Sequence, residues 1–524
     1  MFPLSFTPQM QKKLYILVPE NSYQIQKESA QAARVISQVI RTCLGPRAMQ
    51  KMVITKMNSI EVTNDGNSIL REIDVSHPSA RCLIELARTQ DEEVGDGTTS
   101  VVVLASEFLK EMVQVLGKGV HPITISKYLT TYLKVFQEVL EDLSCEVKEE
   151  EMISIIRNSI NTKICSILKI PIEEIALKSI KLIKDQDGKD QDNINLNNIK
   201  VEKILSLNKD KSEVIDGVIL NKDIIHPQMR KLIKNPRIVI LDTPLEYKKN
   251  ESATSYEFKD KKGFTKALEM EEQQVKGMVD HILSVNPDIV ICEKGISDYA
   301  LSMLFQNQIT AIRRLKKTDS VRLSKATGTF IVNRLEDLEE KHVGIKCGLF
   351  EYVKYGEEYY CKFSECESPK ACSVILRGPS KDVLNELERN YFDAVKVARN
   401  ILMNPKLVPG GGCVEMNILK KLSEIKNDDK NDKLILNGLK NAIKSIPLIL
   451  LKNSGVYNPH KQLLVLEEEI KKNKFSGIDG VSGKIVDIRK IILEPISIKR
   501  QCFDSAIQSV IQLLRVDGIL ESKK

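Results

Sequence analysis

The order in which hydrophobic patterning changes along the chain constrains this sequence most. It is helical first, strand-and-helix in the middle, and helical again at the end. From Glu28, apolar Ala32, Ile36, Val39, Ile40 and Cys43 share one face until Gly45-Pro46, where proline cannot continue a helix. Helical spacing resumes over residues 79–90 and 98–117, then over His121–Cys145 and Glu150–Leu168. From about residue 214 the runs become β-branched, and Arg237–Asp242 and Asp288–Glu293 read as buried strands. A helix is expected over Lys259–Leu283, a strand at Ser373–Leu376, and helices over 380–403, most of 413–470 and 497–517. At 524 residues the chain is too long for one core. The pattern predicts a multidomain α+β protein in which both ends build one discontinuous domain and the rest is inserted.

Two segments break the pattern. Residues 1–24 carry Pro3, Pro8 and Pro19 with no sustained period, so they read as irregular and as neither signal peptide nor membrane anchor. Residues 184–212 are dominated by Asp, Asn and Lys, and read as a surface loop or insertion. The polar stretch 246–262, before the helix at 259–283, reads as a projection rather than core.

Charge and cysteine usage exclude several functions. A net charge of +7 is slight for this length, and no basic–aromatic stripe marks a nucleic-acid face. The 11 cysteines are dispersed, with no CxxC pair and no zinc spacing, which suits reduced thiols in a cytosolic compartment. Cys366 and Cys372 could bridge a hairpin, and the sequence leaves their pairing open. No GxxxxGK[ST] motif exists, so a P-loop ATPase or kinase is excluded.

The chemistry concentrates in Asp91-Glu92-Glu93-Val94-Gly95-Asp96-Gly97-Thr98-Thr99-Ser100. Its glycines let backbone N–H groups approach a ligand, and a helix starting at the hydroxyls would present its positive end to an anion. Asp96 could hold a divalent cation against that anion. The plainer reading is a Thr/Ser helix cap after a Gly-Asp-Gly turn. Met52–Ile54 and Ile60–Thr63 read as a hairpin closing on Thr63-Asn64-Asp65-Gly66, which makes Asp65 a turn residue by default. Lys163 would ordinarily be a solvated lysine, and Asp393, off the apolar stripe of its helix, a solvent-facing aspartate. Pro409-Gly410-Gly411-Gly412 again permits close backbone approach.

Leu44-Gly45-Pro46, Thr63-Asn64-Asp65-Gly66, Gly95-Asp96-Gly97-Thr98-Thr99-Ser100 and Pro409-Gly410-Gly411-Gly412 occur in the order and spacing of a chaperonin. The chain resembles the group II chaperonins (the TCP-1, TRiC or CCT family) over nearly its whole length. The first 25 or so residues and the 184–212 segment stand outside this match, and Arg47 replaces a lysine common in the family. Further stretches, among them Arg41–Pro46, Arg88–Glu93, Leu245–Lys249, Glu293–Asp298 and Ala311–Arg314, resemble one subunit type within that family.

The resemblance implies an equatorial domain from residues 1–147 and 404–524, an intermediate domain from 148–217 and 370–403, and an apical client-binding domain from 218–369, with a lid protrusion made of the stretch 246–262 and the helix after it. It implies ATP and magnesium as ligands, with Asp96 on the metal. Gly45 and Gly97, Thr98, Thr99 and Ser100 would contact the phosphates, Lys163 would sense the γ-phosphate, and Leu44, Pro46 and Thr162 would also bind the nucleotide. Gly411, Asp479, Glu494 and Lys499 would surround the nucleoside, and Asp65 and Asp393 would be catalytic toward the attacking water. The implied activity is ATP hydrolysis that drives lid closure around cytosolic clients of the actin and tubulin class. The implied partners are seven related subunits in a double ring and a prefoldin-like co-chaperone, without nucleic acid or membrane. The alternative is a weakly hydrolysing subunit that mainly fixes the ring.

Overall fold

A computed structural model describes residues 14–17, 22–55, 58, 60–148, 151–163, 165, 168, 170–184, 194–206, 212–247, 261–425 and 429–522. The chain divides into two units: residues 1–167 with 392–524, and residues 168–391. The first is therefore discontinuous, built from both ends as the hydrophobic pattern predicts.

At the centre of the first unit lies the helix Thr98–Leu116. Val101, Val102, Val103, Leu104 and Ala105 are consecutive, so they point all around the helix, and every one is buried. A helix that is apolar all round must be enclosed by others. Here the helices Ser22–Ile40, Pro78–Val94, Lys430–Ile443 and Ile496–Leu514 enclose it. Each fully buried Leu or Phe of this cluster contributes roughly 1.5–3 kcal/mol relative to exposure. Phe136 and Phe503 meet edge to face, their ring centroids 5.4 Å apart, and tie the helix Pro122–Leu143 to Ile496–Leu514.

The helix boundaries follow local chemistry. His77 accepts the Ser79 N–H and Pro78 occupies the first turn of Pro78–Val94; His121 and Pro122 repeat this arrangement at Pro122–Leu143. The apolar run Lys430–Asn453 is long enough to cross a membrane. It comprises two helices, Lys430–Ile443 and Ser445–Asn453, whose Ile435, Leu439, Ile443 and Ile446 lie in this core.

Three readings of the sequence are corrected here. Leu14–Leu17, inside the segment taken as irregular, is a strand paired antiparallel with Ile519–Ser522, so the two ends of the chain join. The helix that follows begins at Ser22 rather than Glu28. Lys51–Ile54 and Ile60–Thr63 do form a hairpin, but Asn64-Asp65-Gly66 does not close it. That tripeptide starts the helix Gly66–Glu72, with Asp65 as its N-cap, because a short carboxylate beside a glycine can satisfy free first-turn N–H groups.

The second unit holds sheets of both kinds. Thr310–Ile312, Ile289–Cys292, Ile238–Leu241 and Ile331–Val332 form a parallel sheet in that order. Its central strands are buried at every position, which is why they read as continuous β-branched runs. The helix Lys261–Leu283 contributes buried Val275, Val279 and Ile282 to the same core. Val218–Leu220, Glu358–Ser364, Leu349–Tyr355 and Leu232–Lys234 make an antiparallel sheet in that order.

A third sheet corrects the reading of 184–212 as a loop. Ile199–Leu205 pairs in parallel along the whole of Cys372–Gly378, from Ile199 opposite Cys372 to Leu205 opposite Gly378. Its charged residues Lys200, Glu202 and Lys203 made it resemble a surface segment. Lys200 is instead satisfied by Glu202 at 3.0 Å, Asp319 at 3.1 Å and the Ile219 carbonyl at 3.0 Å. The rest of the expected insertion, 185–193 and 207–211, and the stretch 248–260 of the expected protrusion lie outside the described residues. Cys366 and Cys372 are both free thiols, and the partner of Cys366 is the thiol of Cys347.

Candidate nucleotide site

The helix Pro78–Val94 ends at Gly95, whose φ of 77° is left-handed. Gly97 is also left-handed, and it is the N-cap of Thr98–Leu116 with no side-chain cap. No hydroxyl takes the capping role, so the plainer reading of the Gly-Asp-Gly-Thr-Thr-Ser stretch does not hold. The N–H groups of Thr98, Thr99 and Ser100 have no acceptor within the helix and face a cavity. Close packing forbids a side chain at Gly97, because a Cβ there would lie 2.8 Å from Cys502 Sγ.

Asp96 sits between these glycines. Its Oδ1 accepts the Gly97 N–H at 2.7 Å, and its carbonyl accepts Gln90 Nε2 at 2.9 Å. Burial raises its carboxyl above the usual carboxylate range, although Lys163, the Gly97 N–H and Lys499 pull it back. Asp65 is brought alongside because Gly66 nests against Thr99, where a Cβ would be 2.9 Å from Thr99 Oγ1. Its Oδ2 is braced by the Ser68 N–H at 3.0 Å and the Ser68 hydroxyl at 2.7 Å.

Lys163 and Asp393 overturn their ordinary readings. They form an ion pair in which each side chain is only 13% exposed. Burial opposes the Lys163 charge, but Asp393, Asp65 and Asp96 outweigh it and raise its pKa. For Asp393, burial dominates; Lys163 opposes it, while Asp65 and Asp91 reinforce it, and the carboxyl is pushed up to about 7. Asp65, Asp96 and Asp393 thus share the Lys163 ammonium, and Lys499 also acts on Asp96.

Lys499 Nζ lies 2.9 Å from Glu415 Oε1 and 3.4 Å from Glu494 Oε2. The remaining wall is loop and apolar surface. Asn453 Nδ2 donates to the carbonyls of Arg41 and Leu44, at 3.0 and 2.8 Å, and so braces Leu44-Gly45-Pro46. Gly480 lies so near Pro46 that a Cβ would be 2.4 Å from its Cδ. Gly411, with φ of 60°, lies similarly against the Ile478 carbonyl, while Val481, Ile491 and Ile492 add apolar surface. Asp479 is engaged by its own turn, accepting the N–H groups of Val481 and Ser482 and the Ser482 hydroxyl, which lowers its pKa.

All the candidate residues lie around this one cavity of about 330 Å³: Leu44, Gly45, Pro46, Asp65, Asp96, Gly97, Thr98, Thr99, Ser100, Thr162, Lys163, Asp393, Gly411, Asp479, Glu494 and Lys499. That volume suits a small molecule. Uncapped helix N–H groups and charged side chains line it together with apolar Ile446, Leu450, Ile478, Ile491 and Ile492. Such a lining suits a ligand with an anionic group and an apolar portion. Among the described residues no three His, Cys, Asp or Glu side chains converge into a metal cage. The donor set fits an ion held by one carboxylate and completed by ligand oxygens, as magnesium is.

Sequence reasoning missed Glu415, Gln90, Asn64 and Asn158. Glu415 is buried in the first turn of Cys413–Glu424, and its signal was an acid within an otherwise apolar helix start. Gln90 is fully buried although it sits in a charged stretch, and nothing local distinguishes it. Asn64 donates to the Thr162 carbonyl and Asn158 to that of Ile491, contacts that require the tertiary fold.

Comparison with known proteins gives the family. Residues 36–524 match the TCP-1/cpn60 chaperonin family. The chain belongs to that family. It is 58% identical to T-complex protein 1 subunit gamma of Encephalitozoon cuniculi over 98% of this chain and 99% of that protein. The subunit of the same name from Schizosaccharomyces pombe is 43% identical over 98% of each chain, and that of Homo sapiens 40% identical over 96% of this chain and 94% of its own. The chaperonin resemblance drawn from the glycine motifs therefore holds across the chain and extends to the gamma subunit.

Proposed function

We propose that this chain is an ATP-hydrolysing subunit of a hetero-oligomeric double-ring chaperonin. It would use ATP binding and hydrolysis to drive lid closure around cytosolic clients such as actin and tubulin, with seven related subunits as ring partners. One observation carries the reading: the uncapped N-terminus of Thr98–Leu116 faces the same cavity as Asp65, Asp96 and Asp393. Membership of the chaperonin family, whose members generally use ATP with magnesium, supports the choice of ligand. The gamma-subunit relatives support a place in the cytosolic TRiC complex.

Each side chain then has a task. The N–H groups of Gly97 to Ser100, with the Leu44-Gly45-Pro46 loop, cradle phosphate oxygens. Asp96 would hold magnesium, which neutralises phosphate charge. Asp393 and Asp65 orient the attacking water, and Asp393 takes its proton. Lys163, paired with Asp393, is the cation available to a γ-phosphate. Phosphoryl transfer needs chiefly such positioning and charge stabilisation. Gly411, Asp479, Glu494 and Lys499 shape the nucleoside end. The three-domain division, with an intermediate hinge at 148–217 and 370–403, belongs to the same proposal.

The test is isolation of the particle through a tag on this chain. A large assembly with seven related but distinct companions, whose ATP turnover falls when Asp393 becomes Ala, supports the proposal. A lone monomer, or unchanged turnover, would sink it.

A further inference from the structure

The last carbonyls of a helix lack partners within it. At the end of Pro78–Val94 they are filled from the helix Lys381–Met403, by residues that lie in the same unit of the chain. Lys396 Nζ donates to the Asp91 carbonyl at 2.7 Å, Arg399 Nη2 to that of Glu93, and Asn400 Nδ2 to that of Val94 at 2.9 Å. Gly95 admits the approach, since a Cβ on it would lie 2.4 Å from Lys396 Cβ. The contacts continue through side chains. Lys396 also meets Asp91 Oδ1 at 3.1 Å, and Asp91 Oδ2 accepts Asn67 Nδ2 at 2.9 Å. Asn67 in turn lies in the first turn of the helix capped by Asp65.

We propose that Lys396, Arg399 and Asn400, acting through Asp91 and Asn67, are a positioning latch that sets Asp393 relative to Asp96 and Asp65. The geometry makes the latch a hub. Lys396 lies one helical turn after Asp393, the carbonyls it and its neighbours hold lead directly into Gly95-Asp96, and the Asn67 arm reaches Asp65. Strength alone does not account for it. Arg399 is desolvated enough to lower its pKa, and its buried Nε has no hydrogen-bond partner among the described residues. A half-buried cation that leaves a buried N–H without an acceptor stabilises a fold poorly. What it does provide is a fixed register, the requirement of a reaction in which a displacement of about 1 Å can cost about 10²-fold in rate.

This inference rests on the reading of Asp393 as a group that acts on the attacking water, and the experiment separates the two. In the particle isolated through this chain, Asp393→Asn defines turnover without its contribution. Lys396→Met is expected to lose about nine-tenths of the gap between wild type and Asp393→Asn, given the ~10²-fold sensitivity to misplacement. Binding of a non-hydrolysable ATP analogue stays within about twofold of wild type, because no latch residue lines the phosphate cradle. Lys396→Arg, which keeps the charge and the stem packed on Gly95, restores most of the loss. If Asp393→Asn itself changes nothing, the hydrolysis reading fails. If Asp393→Asn lowers turnover and Lys396→Met does not, or if Lys396→Met weakens analogue binding in proportion, the latch is overturned. Should Lys396→Met fail to assemble, Asn67→Ala cuts only the arm to Asp65. It must then lower turnover at unchanged analogue binding, and wild-type turnover would overturn the latch.

Discussion

Lys499 is the buried cation whose removal has the most calculable outcome. Its side chain is 9% exposed, against 2% for Glu415 and 29% for Glu494, and it sits 2.9 and 3.4 Å from their oxygens. Lys499→Met keeps the stem but leaves two carboxylates without their ammonium. Breaking a buried pair from one side costs about 3–5 kcal/mol. At ~2–4 °C per kcal/mol for a unit of this size, the first thermal transition of the full chain should fall by about 6–20 °C.

The pH dependence carries the sign. The Lys499 pKa is raised in the fold by Glu415 and Glu494 against the opposing effect of burial, so its contribution is intact below its unfolded value and is lost only in strong alkali. In the variant Glu494, whose carboxyl burial already raises, loses the opposing pull of Lys499, so the folded state takes up a proton there and stability falls as pH rises. The deficit should therefore be large at pH ~7.5 and shrink toward pH ~5.5. Lys499→Met combined with Glu415→Gln should recover much of the loss, since it removes the most deeply buried charge. Calorimetry at the two pH values reads all of this. A deficit that grows on acidification, or a double variant no better than the single, would refute the argument.

Other outcomes follow from the same site. With the Asp393 carboxyl at about 7 and its ionised form required, kcat/KM should fall as pH drops below neutrality, and Lys163→Met should move that limb to higher pH by removing the opposing charge. Gly480→Ala places a methyl where Pro46 stands, so nucleotide affinity, read by calorimetric titration, should weaken as the Leu44-Gly45-Pro46 loop is displaced. In the core, Leu104→Ala should cost about 2–5 kcal/mol, seen as a lower denaturant midpoint, because the packed helices around it cannot collapse into the void. Tyr391→Phe leaves Ser179 its Ile175 carbonyl, so the lost 2.7 Å hydroxyl contact should cost only about 1 kcal/mol.

Much of this protein was determined by the sequence alone. A consecutive apolar run such as Val101–Ala105 has to be enclosed, and β-branched runs such as Ile238–Leu241 and Ile289–Cys292 have to be covered on both faces, so the helical and α/β regions were legible from periodicity. Glycines at turns advertised the loops of the cavity, because a left-handed φ at Gly45, Gly97 and Gly411 selects that residue wherever it occurs. Other features existed only in three dimensions. The charged strand Ile199–Leu205 passed for a loop, because Lys200 is neutralised by Asp319, more than a hundred positions away. Leu14–Leu17 became a strand because the other end of the chain lies beside it. Lys163 and Asp393 were each most simply read as solvated, and nothing near either in sequence signals the other. Burial of a charge depends on what folds over it and on whether a partner arrives from elsewhere, which a local pattern cannot encode. The tertiary structure alone turned one lysine and three dispersed aspartates into a single electrostatic unit, and it set Lys396 one turn from Asp393 against the helix end that carries Asp96.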